Sequence, residues 1–389
     1  MTETGENKKP LHFVQMDALR FLAAFMVVFV HAFDGWTGWF GIPKRLAGDD
    51  PKQYSWFGMH LKTLIGNFGF GVDVFFLISG FLITYLLLKE KDVAGKINFQ
   101  KFFARRIFRI WPLYFFIIAI SPFLVSWMGV PAPHYKSAML FYNNFHTIAI
   151  ERAGQEPWVF PFSHFWSICI EEHFYLVWPF LVAFIPTRKL PVALISIIFL
   201  SIGFRVYEFS FNNEHSFFPI YMHTLARIDA LAIGGLAAWV YFTKPFTLKT
   251  PLVVRILLLC LLIWSLSTDD LSEWSTLFLV CWKKYFYLLL AGFLMLNFLF
   301  NPGVKLRFGT RNPVSYLGRC SYGIYLWGNI LLPLLIQKVI LPYFPSGSAW
   351  TYWPVIISIS LIVPVITYEV IEKPFLKLKS RFAIVKTRM

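Results

Sequence analysis

The sequence predicts an all-α, polytopic membrane bundle. Of 389 residues, 57% are hydrophobic and 15% charged, against about 25% charged in soluble domains. Mean hydropathy is +0.59, and the apolar residues gather in runs long enough to cross a bilayer. These observations exclude an ordinary soluble enzyme and an intrinsically disordered chain, which needs low hydrophobicity.

Ten apolar segments have spanning length: 12–33, 64–88, 105–127, 164–185, 190–209, 223–242, 252–267, 277–300, 320–341 and 352–371. A helix rising about 1.5 Å per residue needs about 20 residues for each crossing. The seventh is short and the eighth carries Lys283 and Lys284. The first run follows a polar start, MTETGENKKP, and lacks a small-residue cleavage signal, so it reads as a retained helix. Residues 1–11 and 372–389 read as tails flanking one membrane domain, 12–371, with no fused extracytoplasmic domain expected.

An even number of spans puts both termini on one side. The segments on that side hold twenty-three Lys and Arg, and the opposite loops hold six. The positive-inside rule therefore assigns both termini to the cytoplasm. The formal charge of +15 thus reads as topology, and nucleic acid is not an expected partner. Cys169, Cys260, Cys281 and Cys320 lie in or beside apolar runs without CxxC spacing, so no metal site or disulfide framework is expected.

Ionisable groups at membrane depth cost roughly 2.5–3.5 kcal/mol each on insertion scales, which makes them candidates for function. In the first span Asp17 and Arg20 stand one turn apart and suit an ion pair. His31 follows eleven residues after Arg20, about 16 Å along the helix, where an imidazole suits general-base chemistry. The second span holds Asp73 and the small pair Ser79-Gly80, which fits close helix packing. Arg105, Arg106 and Arg109 open the third span, either as a cytoplasmic anchor or as a phosphate clamp. In the fourth, Ser167, Glu171 and Tyr175 repeat at i, i+4 and i+8 and share a face, with Glu172 beside them. Glu171 could orient His31, since both lie toward the outer side in this topology. The sixth span carries Arg227 and Asp229 among Ala230, Ala232, Gly234 and Gly235, where Arg227 balances a carboxylate or holds an acceptor.

Together these residues resemble the acyltransferase 3 family of membrane O-acyltransferases. The resemblance rests on a basic residue, ten intervening residues and then His (Arg20, His31), then Phe75-Phe76-Leu77-Ile78-Ser79-Gly80, Arg106 with Arg109, and Trp166-Ser167 leading to Glu171. Ser321-Tyr322-Gly323-Ile324-Tyr325-Leu326-Trp327 and Glu372-Lys373-Pro374-Phe375 also match, in family order. Many members place His after the late Tyr-Leu-Trp, where this chain has Gly328.

The resemblance implies an acyltransferase (not aminoacyl) of a bacterial inner membrane. It implies no permanently bound cofactor, a cytoplasmic acyl-coenzyme A donor, usually acetyl, and a hydroxyl acceptor on an envelope or exported glycan such as a lipopolysaccharide O-antigen. His31 is then the general base and Glu171 its partner, with an acyl-His intermediate left open. Arg106, Arg109 and Arg20 hold the donor, supported by Asp17, Asp73, Ser79, Ser167, Glu172, Arg227 and Asp229. A succinyl or longer acyl group is a variant. The reading from another class is a transporter using the intramembrane His, Asp, Glu and Arg, which would favour inverted repeats and broken helices.

Overall fold

The computed structural model describes residues 13–39, 56–157, 160–211, 217–268, 283–304, 308–344 and 348–382. Among them there is no strand. The helices are α1 (Val14–Trp39), α2 (Trp56–Gly66), α3 (Gly71–Ala94), α4 (Phe99–Met128), α5 (Tyr135–Met139) and α6 (Asn143–Arg152). Then come α7 (Phe165–Phe184), α8 (Leu190–Phe211), α9 (Phe217–Met222), α10 (Thr224–Thr243), α11 (Leu252–Thr268) and α12 (Lys284–Phe300). The chain closes with α13 (Pro313–Arg319), α14 (Ser321–Leu335), α15 (Leu341–Tyr343), α16 (Ala349–Thr367) and α17 (Lys373–Lys379).

Eight of the expected spans lie in continuous helical stretches long and apolar enough to cross a membrane. The expected seventh and eighth correspond to α11 and α12, apolar helices of 17 residues each, the lower limit for a span. The N-terminal tail 1–11 and the start of the eighth expected span lie outside the described residues. Large apolar side chains remain exposed on the outward faces, among them Phe123, Leu176, Phe199, Leu257 and Trp264. In water such patches would drive aggregation; lipid is their natural solvent. This is the architecture of an all-α polytopic membrane bundle.

Residues beyond 371, expected as a tail, begin as structure. A π-helical turn at Tyr368–Glu372 joins α16 to α17, so the helical stretch runs from Ala349 to Phe382. Its end is held against α4. Phe108 stacks on Phe375 and Phe382, and Arg105 Nη1 donates to the Phe382 carbonyl at 2.9 Å.

At the centre α3 crosses α10 at backbone contact. A Cβ on Gly80 would lie 2.0 Å from the Leu231 carbonyl oxygen, and one on Gly234 2.2 Å from that of Leu77. The small residues expected to permit close approach do so here. Membrane helices lack a hydrophobic drive toward one another, so such packing and interhelical polar contacts hold them together.

The polar contacts form one buried network across α3, α8, α10 and α12. Arg205 Nη1 lies 2.8 Å from Asp229 Oδ2, both side chains wholly buried. Arg227 Nη2 meets Asp73 Oδ2 at 3.0 Å. Lys284 lies between the carboxylates, 3.2 Å from Asp229 and 3.7 Å from Asp73, and Arg205 also donates to the Tyr285 hydroxyl. Three cations meet two anions. The Arg227 guanidinium is flanked by the rings of Phe76, Trp166 and Tyr221 at 5.6–5.9 Å, whose faces attract cations. Arg227 therefore balances Asp73. Lys283 and Lys284, which lie within the eighth expected span, stand at the start of α12, and Lys284 is a member of the network.

Two outcomes follow. Gly80→Ala should destabilise the protein by about 1–3 kcal/mol through overpacking, whereas Gly203→Ala, with open space around it, should be neutral or mildly stabilising; thermal unfolding in detergent compares them. Asp229→Asn leaves two buried cations short of a partner and should cost about 3–5 kcal/mol. A melting temperature equal to that of the parent would contradict the structural role of the network.

Candidate active site

A cavity open to its surroundings lies among α1, α3, α4, α7 and α14. Helical periodicity explains its wall. Ser167, Glu171 and Tyr175, expected on one face of the fourth span, all line it. From α3 comes Ser79, from α1 Arg20, from α4 Arg106 and Arg109, and from α14 Ser321, Tyr322 and Tyr325.

Glu171 is held at both oxygens. Ser79 Oγ donates to Oε1 at 2.8 Å and the Tyr175 hydroxyl donates to Oε2 at 3.2 Å. Further along α7, Ser167 Oγ and the Tyr325 hydroxyl are 2.5 Å apart. The Tyr325 hydroxyl also donates to the His164 carbonyl at 3.2 Å. A line of hydroxyl groups thus runs along the cavity wall from the arginines toward the start of α7.

The three arginines that open the third span divide by role. Arg105 pairs with Glu90 at 2.8 Å and holds Phe382, a structural task. Half-buried Arg106 and Arg109 line the cavity and make no hydrogen bond or ion pair among the described residues. Arg106 lies over the Tyr175 ring at 5.6 Å, and its Nε has no partner. Arg20 has Asp17 at 4.0 Å, a loose contact. An unpaired guanidinium withdrawn from water is costly, so this end of the cavity suits an anion, above all one with the oxygen geometry of phosphate.

His31 is not among the lining residues. Its side chain is exposed, eleven residues along α1 from Arg20, about 16 Å by helix rise. Glu171 stands instead at the Arg20 end, within electrostatic range of both Arg20 and Arg106. The expected Glu171–His31 pairing is therefore not formed among the described contacts: Ser79, the partner of Glu171, is eight positions along α3 from Gly71, which packs on Ala23 and Val27 of α1. Glu172 turns away from the cavity, with Trp111 Nε1 donating to it at 3.5 Å. Asp73, Arg227 and Asp229 belong to the ion network and not to the cavity wall.

The imidazole within electrostatic range of His31 is His164, a residue the sequence reading passed over. It is buried, its ring edge-on to Phe165 and Tyr325, and neither ring nitrogen has a hydrogen-bond partner. Its place just before the Trp166-Ser167…Glu171 segment was the available signal. Arg205 was likewise legible as an arginine inside an apolar run. At Gly328 a Cβ would lie 2.6 Å from Val28 Cγ2, so α14 abuts α1 one turn before His31.

Comparison with known proteins follows the same direction. The model of the family described as an acyltransferase domain matches residues 13–369. O-acetyltransferase OatA of Staphylococcus aureus (strain NCTC 8325 / PS 47) is 28% identical over 372 residues, covering 86% of this chain and 58% of that protein. The protein SACOL0978 of Staphylococcus aureus (strain COL) is 29% identical over 343 residues, covering 82% of this chain and 54% of its own length. The chain thus spans a little over half the length of these relatives. No solved structure matches it.

Proposed function

The chain belongs to the acyltransferase domain family, and from that premise we propose that it is a membrane O-acyltransferase, carrying acetyl from acetyl-coenzyme A to a hydroxyl of an envelope or exported glycan. The observation that carries the donor half is the cavity with Arg106 and Arg109 unpaired in its wall. The acetyl assignment leans on relatives whose name is O-acetyltransferase.

The charge distribution of the loops makes the arginine end cytoplasmic, where acyl-coenzyme A resides. Arg20, Arg106 and Arg109 hold its phosphates. The pantetheine arm extends along Ser79, Tyr175, Ser167 and Tyr325, whose hydroxyls suit its amide groups, and delivers the thioester toward His31. Glu171 serves this path by fixing Ser79 and Tyr175. His31, exposed at the far end, receives the proton of the acceptor hydroxyl as that oxygen attacks the thioester carbon. The new C–O bond forms, the C–S bond breaks, the coenzyme A thiolate takes a proton from solvent, and His31 returns the one it received to solvent. A bacterial inner membrane is the setting proposed for this division of donor and acceptor.

Inverted vesicles loaded with extracted glycan and supplied outside with labelled acetyl-coenzyme A test the reading. His31→Ala should lower transfer by about 10²–10⁴-fold, while Arg106→Gln and Arg109→Gln should raise the donor KM with smaller change in kcat. Equal labelling by parent and His31→Ala would remove His31 from the chemistry. Movement of an unmodified solute with no acyl transfer would replace the enzyme reading by a transporter.

A further inference from the structure

Lys379 ends α17, the helix that continues the last apolar stretch. It is half-buried and has no hydrogen bond or ion pair among the described residues. Its electrostatic neighbours are Arg106, Arg109, Arg20 and Arg105. Four like charges thus act on one ammonium.

The fold holds it there against that repulsion. The Phe108 ring stacks at 6.3 Å on Phe375 and 5.6 Å on Phe382, while Arg105 anchors the Phe382 carbonyl. Of the five cations, Arg105 is neutralised by Glu90 and Arg20 partly by Asp17. Of the nearby acids, Glu171 already accepts two hydroxyls. Buried Glu372 has both oxygens without hydrogen bonds and stands within range of Arg109. Arg106, Arg109 and Lys379 outnumber the two carboxylates in range of this cluster, Glu171 and Glu372, and an anionic ligand among them would relieve the remaining repulsion.

Lys379 does not line the cavity, whereas Arg20, Arg106 and Arg109 do. That difference matches the order of groups in the donor. From the thioester arm outward, coenzyme A presents a diphosphate and then a ribose carrying a 3′-phosphate. With the arm in the cavity and the diphosphate on the lining arginines, the phosphate monoester falls outside the wall, at the height of α17. A monoester carries about −1.5 to −2 charges at neutral pH, and a lysine ammonium serves as a point charge for it. Resting on the donor assignment above, we infer that Lys379 is a specificity-determining residue that reads the 3′-phosphate of the coenzyme A donor, with α17 as the element that presents it.

Calorimetric titration of the full chain in detergent, with coenzyme A and with 3′-dephospho-coenzyme A, tests this. The parent should bind coenzyme A about tenfold more tightly than the dephospho form. Lys379→Gln should lose that preference by weakening coenzyme A alone, and Lys379→Arg should retain most of it. A preference that survives in Lys379→Gln overturns the inference, as does equal weakening of both ligands, and neither touches the donor assignment. A parent protein that binds neither nucleotide overturns the donor assignment itself.

Discussion

Charge that enters an apolar interior has to be neutralised there, because no water follows it to share the cost. Most of this architecture can be understood as the ways the chain meets that demand. Asp73, Arg205, Arg227, Asp229 and Lys284 meet it with one another, drawing four helices together. Tyr285 and the rings around Arg227 absorb what the two carboxylates leave over. The close crossing of α3 and α10 depends on the same pairing, since Asp73 sits on one helix and Arg227 on the other. Packing without side chains at Gly80 and Gly234 brings the backbones near enough for the pair to form.

The cavity is where the demand is left unmet. Arg106 and Arg109 stand two positions or less from arginine and phenylalanine neighbours that are fully engaged in structure, yet they face open space. The contrast with the paired charges of the network is what makes these two arginines candidates for holding an anion. The hydroxyls of Ser79, Tyr175, Ser167 and Tyr325 continue from that end along α7, so the polar surface forms a path with a charged end and a neutral wall. A long donor with an anionic head and an amide-bearing arm has the complementary order of groups.

His31 lies beyond that path, and its separation from Glu171 changes the division of labour between them. The residue at the start of α7 within electrostatic range of His31 is His164, seven residues, about two turns, before Glu171. Glu171 is instead committed to Ser79 and Tyr175 by two hydrogen bonds. His164 lies within electrostatic range of His31 and touches Tyr325 of the cavity wall, so it stands between the two.

Periodicity and hydropathy determined the helical architecture, the ten apolar segments and the shared face of Ser167, Glu171 and Tyr175, because these depend only on residues near one another along a helix. They also marked Arg105, Arg106 and Arg109 as a cationic group. Only tertiary structure decided which interior charges cancel: Arg205 and Asp229 are 24 positions apart in the chain and Arg227 and Asp73 154 apart, distances over which sequence spacing carries no geometric information. The same holds for Arg105, indistinguishable from Arg106 until Glu90 and Phe382 claim it. Glu171 and His31 looked like partners by depth alone; the relative rise of two packed helices, which no local pattern encodes, set them apart.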